Sequence, residues 1–278
     1  MLDPDYLRAL DMGEARTVIA GRDAMLYALS IGLGADPIDP FDLCYTYERD
    51  LAVFPTMALV VMGAPHWLDD PRTGISWNHV VHGAEHLVVH RELPLDRPIT
   101  ARLHVAEIFD RDDKGALLVL ERRLSDADGA PLATIRQQVL CRADGGFGGQ
   151  RGSVARRPVP ERAPDRVLDV ALPGSAALLY RLNQDRNPLH VDPAYAAAAG
   201  FARPIMHGLG TFGFAVAALL RALGGGRVAE TGVRFAGPVY PGETLALSVW
   251  DEPGGAAFRG MIETRGAIGL DDGFVHLA

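Results

Sequence analysis

Gly208-Leu-Gly-Thr-Phe-Gly-Phe-Ala-Val-Ala-Ala-Leu-Leu-Arg-Ala-Leu223 is the stretch that decides the architecture. Its only charged residue is Arg221, and apolar side chains fall at nearly every position rather than on one stripe. A helix that is apolar all round is buried on most sides. Gly224-Gly-Gly226 stops it, and runs of strand character follow at Arg227 to Phe235, Thr244 to Trp250, Ala257 to Arg265 and Gly273 to Ala278. One buried helix followed by an antiparallel meander is an α+β plan.

Working upstream, a short helix is predicted from Asp192 to Ala199, with Asp192 as N-cap, Pro193 at the first helical position and Gly200 closing it. Another is predicted near Ser175 to Leu182. The first half of the chain shows the same plan. Arg22 to Leu33 has a helical pattern stopped by Gly34, and a second helix is expected to start near Pro55. Strand-like runs follow at Val80 to Arg91, Ile99 to Asp110, Ala116 to Ser125 and Pro131 to Arg142, separated by the turn signals Asp112-Asp-Lys-Gly115 and Asp126-Ala-Asp-Gly129. Between the halves, Gly145 to Pro164 is glycine-rich, then basic and proline-rich, and reads as a linker. The expected division is a module over 1–148, a linker over 149–165 and a module over 166–278. Halves of similar size suggest duplication of one unit.

The bulk properties narrow the function. The chain has 278 residues, 48% hydrophobic and 22% charged, and a net charge of -8. That balance argues against nucleic acid as the main partner, because phosphate binding wants a basic surface. No run approaches the roughly 20 apolar residues of a membrane span. Met1-Leu-Asp-Pro-Asp5 lacks a secretory n-region, and Cys44 and Cys141 have neither metal nor redox spacing. Free thiols in a reducing, cytoplasmic setting are the expectation.

The chemistry is concentrated in Tyr180-Arg-Leu-Asn-Gln-Asp-Arg-Asn-Pro-Leu-His190. Asp185 and His190 stand five residues apart, a spacing that shares neither a helix face nor a strand face. The Asn187-Pro188 step compensates. Proline disfavours the α region for Asn187 and holds its own φ near helical values, so the chain turns there and can aim both side chains at one point. An acid and a base at one point can add or remove water across a double bond.

A helix apolar all round, lying in the concave face of a curled sheet, is the hotdog arrangement. Two such modules in one chain make a double hotdog. The run at 180–190, with Ala196 six residues beyond the histidine, resembles the signature of hydratase 2, the (R)-specific 2-enoyl-CoA hydratases of the MaoC-like group. Pro204-Ile-Met-His-Gly208 and Phe235-Ala-Gly-Pro-Val-Tyr-Pro-Gly-Glu-Thr-Leu245 are similar to segments of that group. The first half resembles the degenerate N-terminal hotdog of its two-module members through Arg22-Asp-Ala-Met-Leu-Tyr-Ala-Leu29, Tyr45-Thr-Tyr-Glu48, Phe54-Pro-Thr56 and His82-Gly-Ala-Glu85. Asn183-Gln184 departs from the family's usual small residue and glycine, which puts substrate preference in question.

The resemblance implies reversible hydration of a trans-2-enoyl-CoA to a (3R)-3-hydroxyacyl-CoA, with Asp185 and His190 holding one water and Asn187 orienting them. It also implies a homodimer, and neither metal nor redox cofactor, since coenzyme A is part of the substrate. Gly208 begins the buried helix, where free N–H groups can receive the thioester oxygen as it gains enolate charge. Gln184, His207 and Tyr180 are pocket candidates. The first half lacks the Asp-x-Asn-Pro-x-His pattern, so it is expected to be non-catalytic and to shape the acyl tunnel. The alternatives are an acyl-CoA thioesterase on the same fold and a non-catalytic acyl-CoA-binding subunit.

His82, His86 and His90 recur every four residues, but the run alternates with period two. On a strand they would share one face about 13 Å apart, too far for one metal. Arg156, Arg157, Arg162, Arg203 and Arg227 could each meet coenzyme A phosphates, and the sequence does not choose among them.

Overall fold

A computed structural model describes residues 2–62 and 70–278. In chain order the elements are α1 (Pro4–Ala9), β1 (Glu14–Val18), α2 (Gly21–Ser30), α3 (Pro40–Thr46), β2 (Val80–Val89), β3 (Pro98–Asp110), β4 (Ala116–Asp126) and β5 (Pro131–Cys141). The second half adds β6 (Arg166–Ala171), α4 (Ala176–Tyr180), α5 (Pro193–Ala198), α6 (Gly208–Ala222), β7 (Val228–Phe235), β8 (Thr244–Glu252), β9 (Gly255–Ile262) and β10 (Ala267–Leu277).

The strands form one antiparallel sheet in the order β1-β3-β4-β5-β2-β7-β10-β9-β8-β6. The halves join edge to edge where Ala84 to Val88 of β2 faces Arg234 to Glu230 of β7. α6 supplies the main filling of the concave side. Phe212, Val216, Leu219 and Leu220 are buried in a core that also contains Tyr27 and Ile31 at α2, Leu87 of β2 and Phe258 of β9. This is the double hotdog, with one core continuous across both halves.

The halves differ in their central helices. Where a second helix was expected from Pro55, the described residues make a 3-10 turn, Pro55–Leu59. The β-branched pair Val60-Val61 follows, and Met62 sits at φ 89, outside helical space. The final strand begins at Ala267, six residues before the expected Gly273. Asp271-Asp272 resembles a turn in sequence, yet both residues are buried. Arg259 donates to Asp271 at 2.7 Å, Arg156 to Asp272 at 2.7 Å, and Arg234 contacts both.

The linker is fastened at both ends. Asp110 accepts the amides of Gly146 (2.8 Å) and Gly148 (2.7 Å), and Arg156 reaches Asp272. The three-histidine face is corrected by a bulge. His82 pairs with Val139 but Ala84 with Gln138, so the strand slips at Gly83 and turns His82 toward Glu85, 2.6 Å away. His86 instead pairs with Glu230 at 2.6 Å, and His90, beyond β2, with Thr134 at 2.9 Å.

Candidate active site

The site forms where the loop after α4 meets the N-terminus of α6. Gln184 stands at φ 75, a left-handed conformation that L side chains rarely adopt. It reverses the chain ahead of Asp185. The Asn187 amide donates to Asp185 Oδ1 at 3.2 Å, and Asn187 Oδ1 accepts the Leu189 amide at 3.0 Å. Asn187 thereby caps the 3-10 turn Pro188–His190, with Pro188 in the first position. Asn187 thus fixes the backbone of the turn between Asp185 and His190.

His190 is buried, and its Nδ1 lies 2.9 Å from the Ile205 carbonyl. A carbonyl can only accept, so Nδ1 carries the proton and the lone pair of neutral His190 is on Nε2. Burial lowers the His190 pKa, opposed by the Ile205 hydrogen bond and the Asp185 charge. His207 stacks on His190 with ring centroids 3.7 Å apart and an interplanar angle of 27°. It is almost fully buried and is lowered to about 4, first by burial and then by the neighbouring His190. One side-chain ligand atom from each of Asp185, His190 and His207 lies within 4.8 Å of the others.

Behind this trio, the Tyr180 ring sits 4.9 Å from His207, fully buried, with a hydroxyl that has no hydrogen-bond partner among the described residues. Burial raises its pKa well above the usual range and keeps it neutral. Gly208 opens α6 directly after His207. A Cβ there would come 3.0 Å from the Phe235 ring, so a larger residue needs that partly buried ring to give by a few tenths of an ångström.

Two contributors were not visible in the sequence. Ile205 acts through its carbonyl, which no side-chain pattern reveals. Asn183, noted only as a departure from a family pattern, is buried and donates to Ser30 Oγ (2.8 Å) and to the Tyr180 carbonyl (3.0 Å). It ties the loop to α2 of the first half. Gln184 is exposed and, with Leu182 and Asn183, forms one wall of a cavity of about 120 Å³. Ile19, Leu26, Met57 and Val60 of the first half form another wall.

The chain is 41% identical over 239 residues to the Mycobacterium tuberculosis protein named enoyl-CoA hydratase ChsH3, covering 83% of this chain and 82% of that one. This chain belongs to the MaoC-like hydratase 2 family. Within the family, residues 19–143 match the MFE-2 hydratase 2 N-terminal domain and 156–269 the MaoC like domain. The peroxisomal enoyl-CoA hydratase 2 of Arabidopsis thaliana is 36% identical, covering 89% of this chain and 87% of its own. The crystal structure of a MaoC-like dehydratase from Phytophthora capsici superposes with a TM-score of 0.87 at 28% identity, covering 100% of this chain and 99% of that one.

The Asp-His-His trio of this family member has the composition and the spacing of a metal site, with its two imidazoles stacked face to face. A metal bonds in the plane of each imidazole at about 2 Å. Ring planes that nearly face each other at 3.7 Å meet only well beyond that reach.

Proposed function

We propose that this protein adds water reversibly to a trans-2-enoyl-CoA to give a (3R)-3-hydroxyacyl-CoA, without a metal or redox cofactor. The observation that carries the reading is the His190 Nδ1–Ile205 contact, which leaves Nε2 as the proton acceptor of a ring that has one nitrogen within 4.8 Å of an Asp185 carboxylate oxygen. In this reading one water is held between Asp185 and His190. Nε2 takes a proton as the water oxygen bonds to the β carbon, and the π electrons move onto the thioester oxygen. The Gly208 amide, at the positive end of α6, receives that charge. Collapse of the enolate takes a proton to the α carbon on the same face and returns His190 to neutrality.

The first half serves as a non-catalytic wall for the acyl chain, a role supported by the apolar side chains it contributes to the cavity beside Gln184. The protein works as a homodimer in the cytoplasm, and its two unpaired cysteines suit a reducing compartment. Light scattering of the purified chain checks the dimer.

The reaction is tested with crotonyl-CoA, following loss of the enoyl thioester in parallel with free thiol. Loss without thiol release is expected, and stoichiometric thiol release would establish a thioesterase instead. Asp185→Asn and His190→Ala should each lower turnover by about a hundredfold or more, the scale of a lost general acid or base. A folded variant with wild-type rates would remove that residue from the mechanism.

A further inference from the structure

We infer that Gln184 is a specificity-determining residue, and that the cavity it walls selects an acyl chain carrying a hydroxyl group over a plain hydrocarbon chain; this rests on the acyl-CoA reading above. Gln184 stands at φ 75, a region that glycine enters freely and other residues enter at a cost. Strain of that kind beside a reacting centre points to a side chain with a task. No internal contact of the carboxamide accounts for it. Asn183, one residue earlier, donates to Ser30 Oγ and to the Tyr180 carbonyl, and Asp185, one residue later, accepts the Asn187 amide. Between them the Gln184 side chain is exposed and makes no hydrogen bond among the described residues.

What Gln184 does border is the cavity of about 120 Å³ between the catalytic loop and the first half. Successive Cα atoms are about 3.8 Å apart, so the wall made by Leu182, Asn183 and Gln184 runs directly into Asp185. Two large apolar side chains of this cavity are open to solvent, Val18 at 48% and Leu182 at 57% exposure. Behind them, Ile19 and Met57 are buried. Apolar side chains left open around a concavity mark a place where a ligand's hydrocarbon part is covered.

The polar groups of the same cavity choose among acyl chains. Thr17 and Asp23, from the first half, line it together with Gln184. A plain hydrocarbon chain laid against the Gln184 carboxamide strips it of water and returns no hydrogen bond, a desolvation without compensation. A chain ending in a carboxylate meets the Asp23 carboxylate, and no cation is among the described residues that line the cavity. A hydroxyl suits every polar group present. It donates to Asp23 or to the carboxamide oxygen, and it accepts from the carboxamide NH2 or the Thr17 hydroxyl. The strained backbone, the uncommitted carboxamide and the mixed lining thus converge on one ligand class, a hydroxylated acyl chain.

The test compares kcat/KM for plain trans-2-enoyl-CoAs with that for ω-hydroxy and ω-carboxy trans-2-enoyl-CoAs of the same carbon number, over a series of chain lengths. The wild type should favour the hydroxylated member by about tenfold at the length that reaches Gln184, the scale of one hydrogen bond gained against one carboxamide left unpaired. Gln184→Gly fits the left-handed turn and lacks the carboxamide. It should bring that ratio to about one, by lowering the hydroxylated value and raising the plain one. Gln184→Asn, which keeps a carboxamide and tolerates the same backbone, should retain a preference for the hydroxyl. No hydroxyl preference in the wild type at any length, an undiminished preference in Gln184→Gly, or better use of the carboxylate-ended chains would overturn the assignment while leaving the reaction intact. A wild-type chain that hydrates none of these thioesters would fail the reaction itself, and the assignment with it.

Discussion

His207 is the residue whose protonation the fold resists most clearly within the site. Its pKa falls from the ordinary 6.5 to about 4, because a buried imidazolium stacked on a second imidazole is poorly solvated and repelled. In the window between those values the unfolded chain takes up a proton that the native site refuses. Stability is therefore complete above about pH 6.5 and is lost as pH falls toward 4, on the order of 3 kcal/mol if the whole shift is expressed. His207→Phe keeps a flat ring against His190 and has no proton to take up. Its urea midpoint should fall less than that of the wild type between pH 7.5 and pH 5, and an identical fall in both proteins would contradict this account. At Gln184 the issue is backbone conformation. A left-handed L residue costs roughly 1–2 kcal/mol. Glycine removes that cost but adds about 0.5–1 kcal/mol of unfolded-chain entropy. Gln184→Gly should raise stability by up to about 1 kcal/mol by chemical denaturation, and a loss would mean that the side chain holds the loop by contacts.

At the scale of elements, α6 fits its neighbours through its glycines. A Cβ at Gly213 would stand 2.5 Å from Ile31 Cγ2, and one at Gly210 would stand 3.1 Å from the Tyr180 ring. Glycine in a helix interior is normally unfavourable by about 1 kcal/mol relative to alanine. Here the relation inverts, and Gly213→Ala should destabilise by about 1–3 kcal/mol through overpacking, read as a lower Tm. A rise in Tm would show that Ile31 can move aside. Most elements were legible because their patterns were local. The all-apolar run predicted α6, Asp192-Pro193 and Gly200 predicted α5, and Asp112 to Gly115 and Asp126 to Gly129 predicted the turns around β4. The failures had distant causes. Asp271-Asp272 does form a bulge, with Asp272 at φ 52, but it stays buried within the strand where arginines from β7, β9 and the linker neutralise it. The face of His82 was set by a bulge that period-two counting cannot reveal. In the site, the approach of Asp185 to His190 followed from Asn-Pro chemistry, whereas Ile205 and Ser30 act across distances of 15 and 153 residues.

For the whole molecule, the halves share too much structure to unfold separately. Leu87 and Val233, on either side of the β2–β7 joint, belong to the same core as α2 and α6. Arg221 near the end of α6 reaches back to Asp39 at 3.2 Å and to Asp42, which is buried in α3. Denaturation followed by tryptophan fluorescence and by far-UV circular dichroism should give coincident single transitions despite the length of the chain. Two resolved steps would mean that each half keeps a core of its own. Arg221→Ala, which strips a buried carboxylate of its cation, should lower the shared midpoint by an amount equivalent to about 1.5–3 kcal/mol.

The long helix and the Asp-His turn occur in one half, while among the described residues the other has a five-residue 3-10 turn, Pro55–Leu59, where a second helix was expected. An assembly of identical subunits cannot make that distinction, because any change to one copy is made to all. Tandem fusion lifts the constraint. One repeat can keep the demanding residues fixed, while the other drifts and tries new shapes against the cargo without jeopardising turnover.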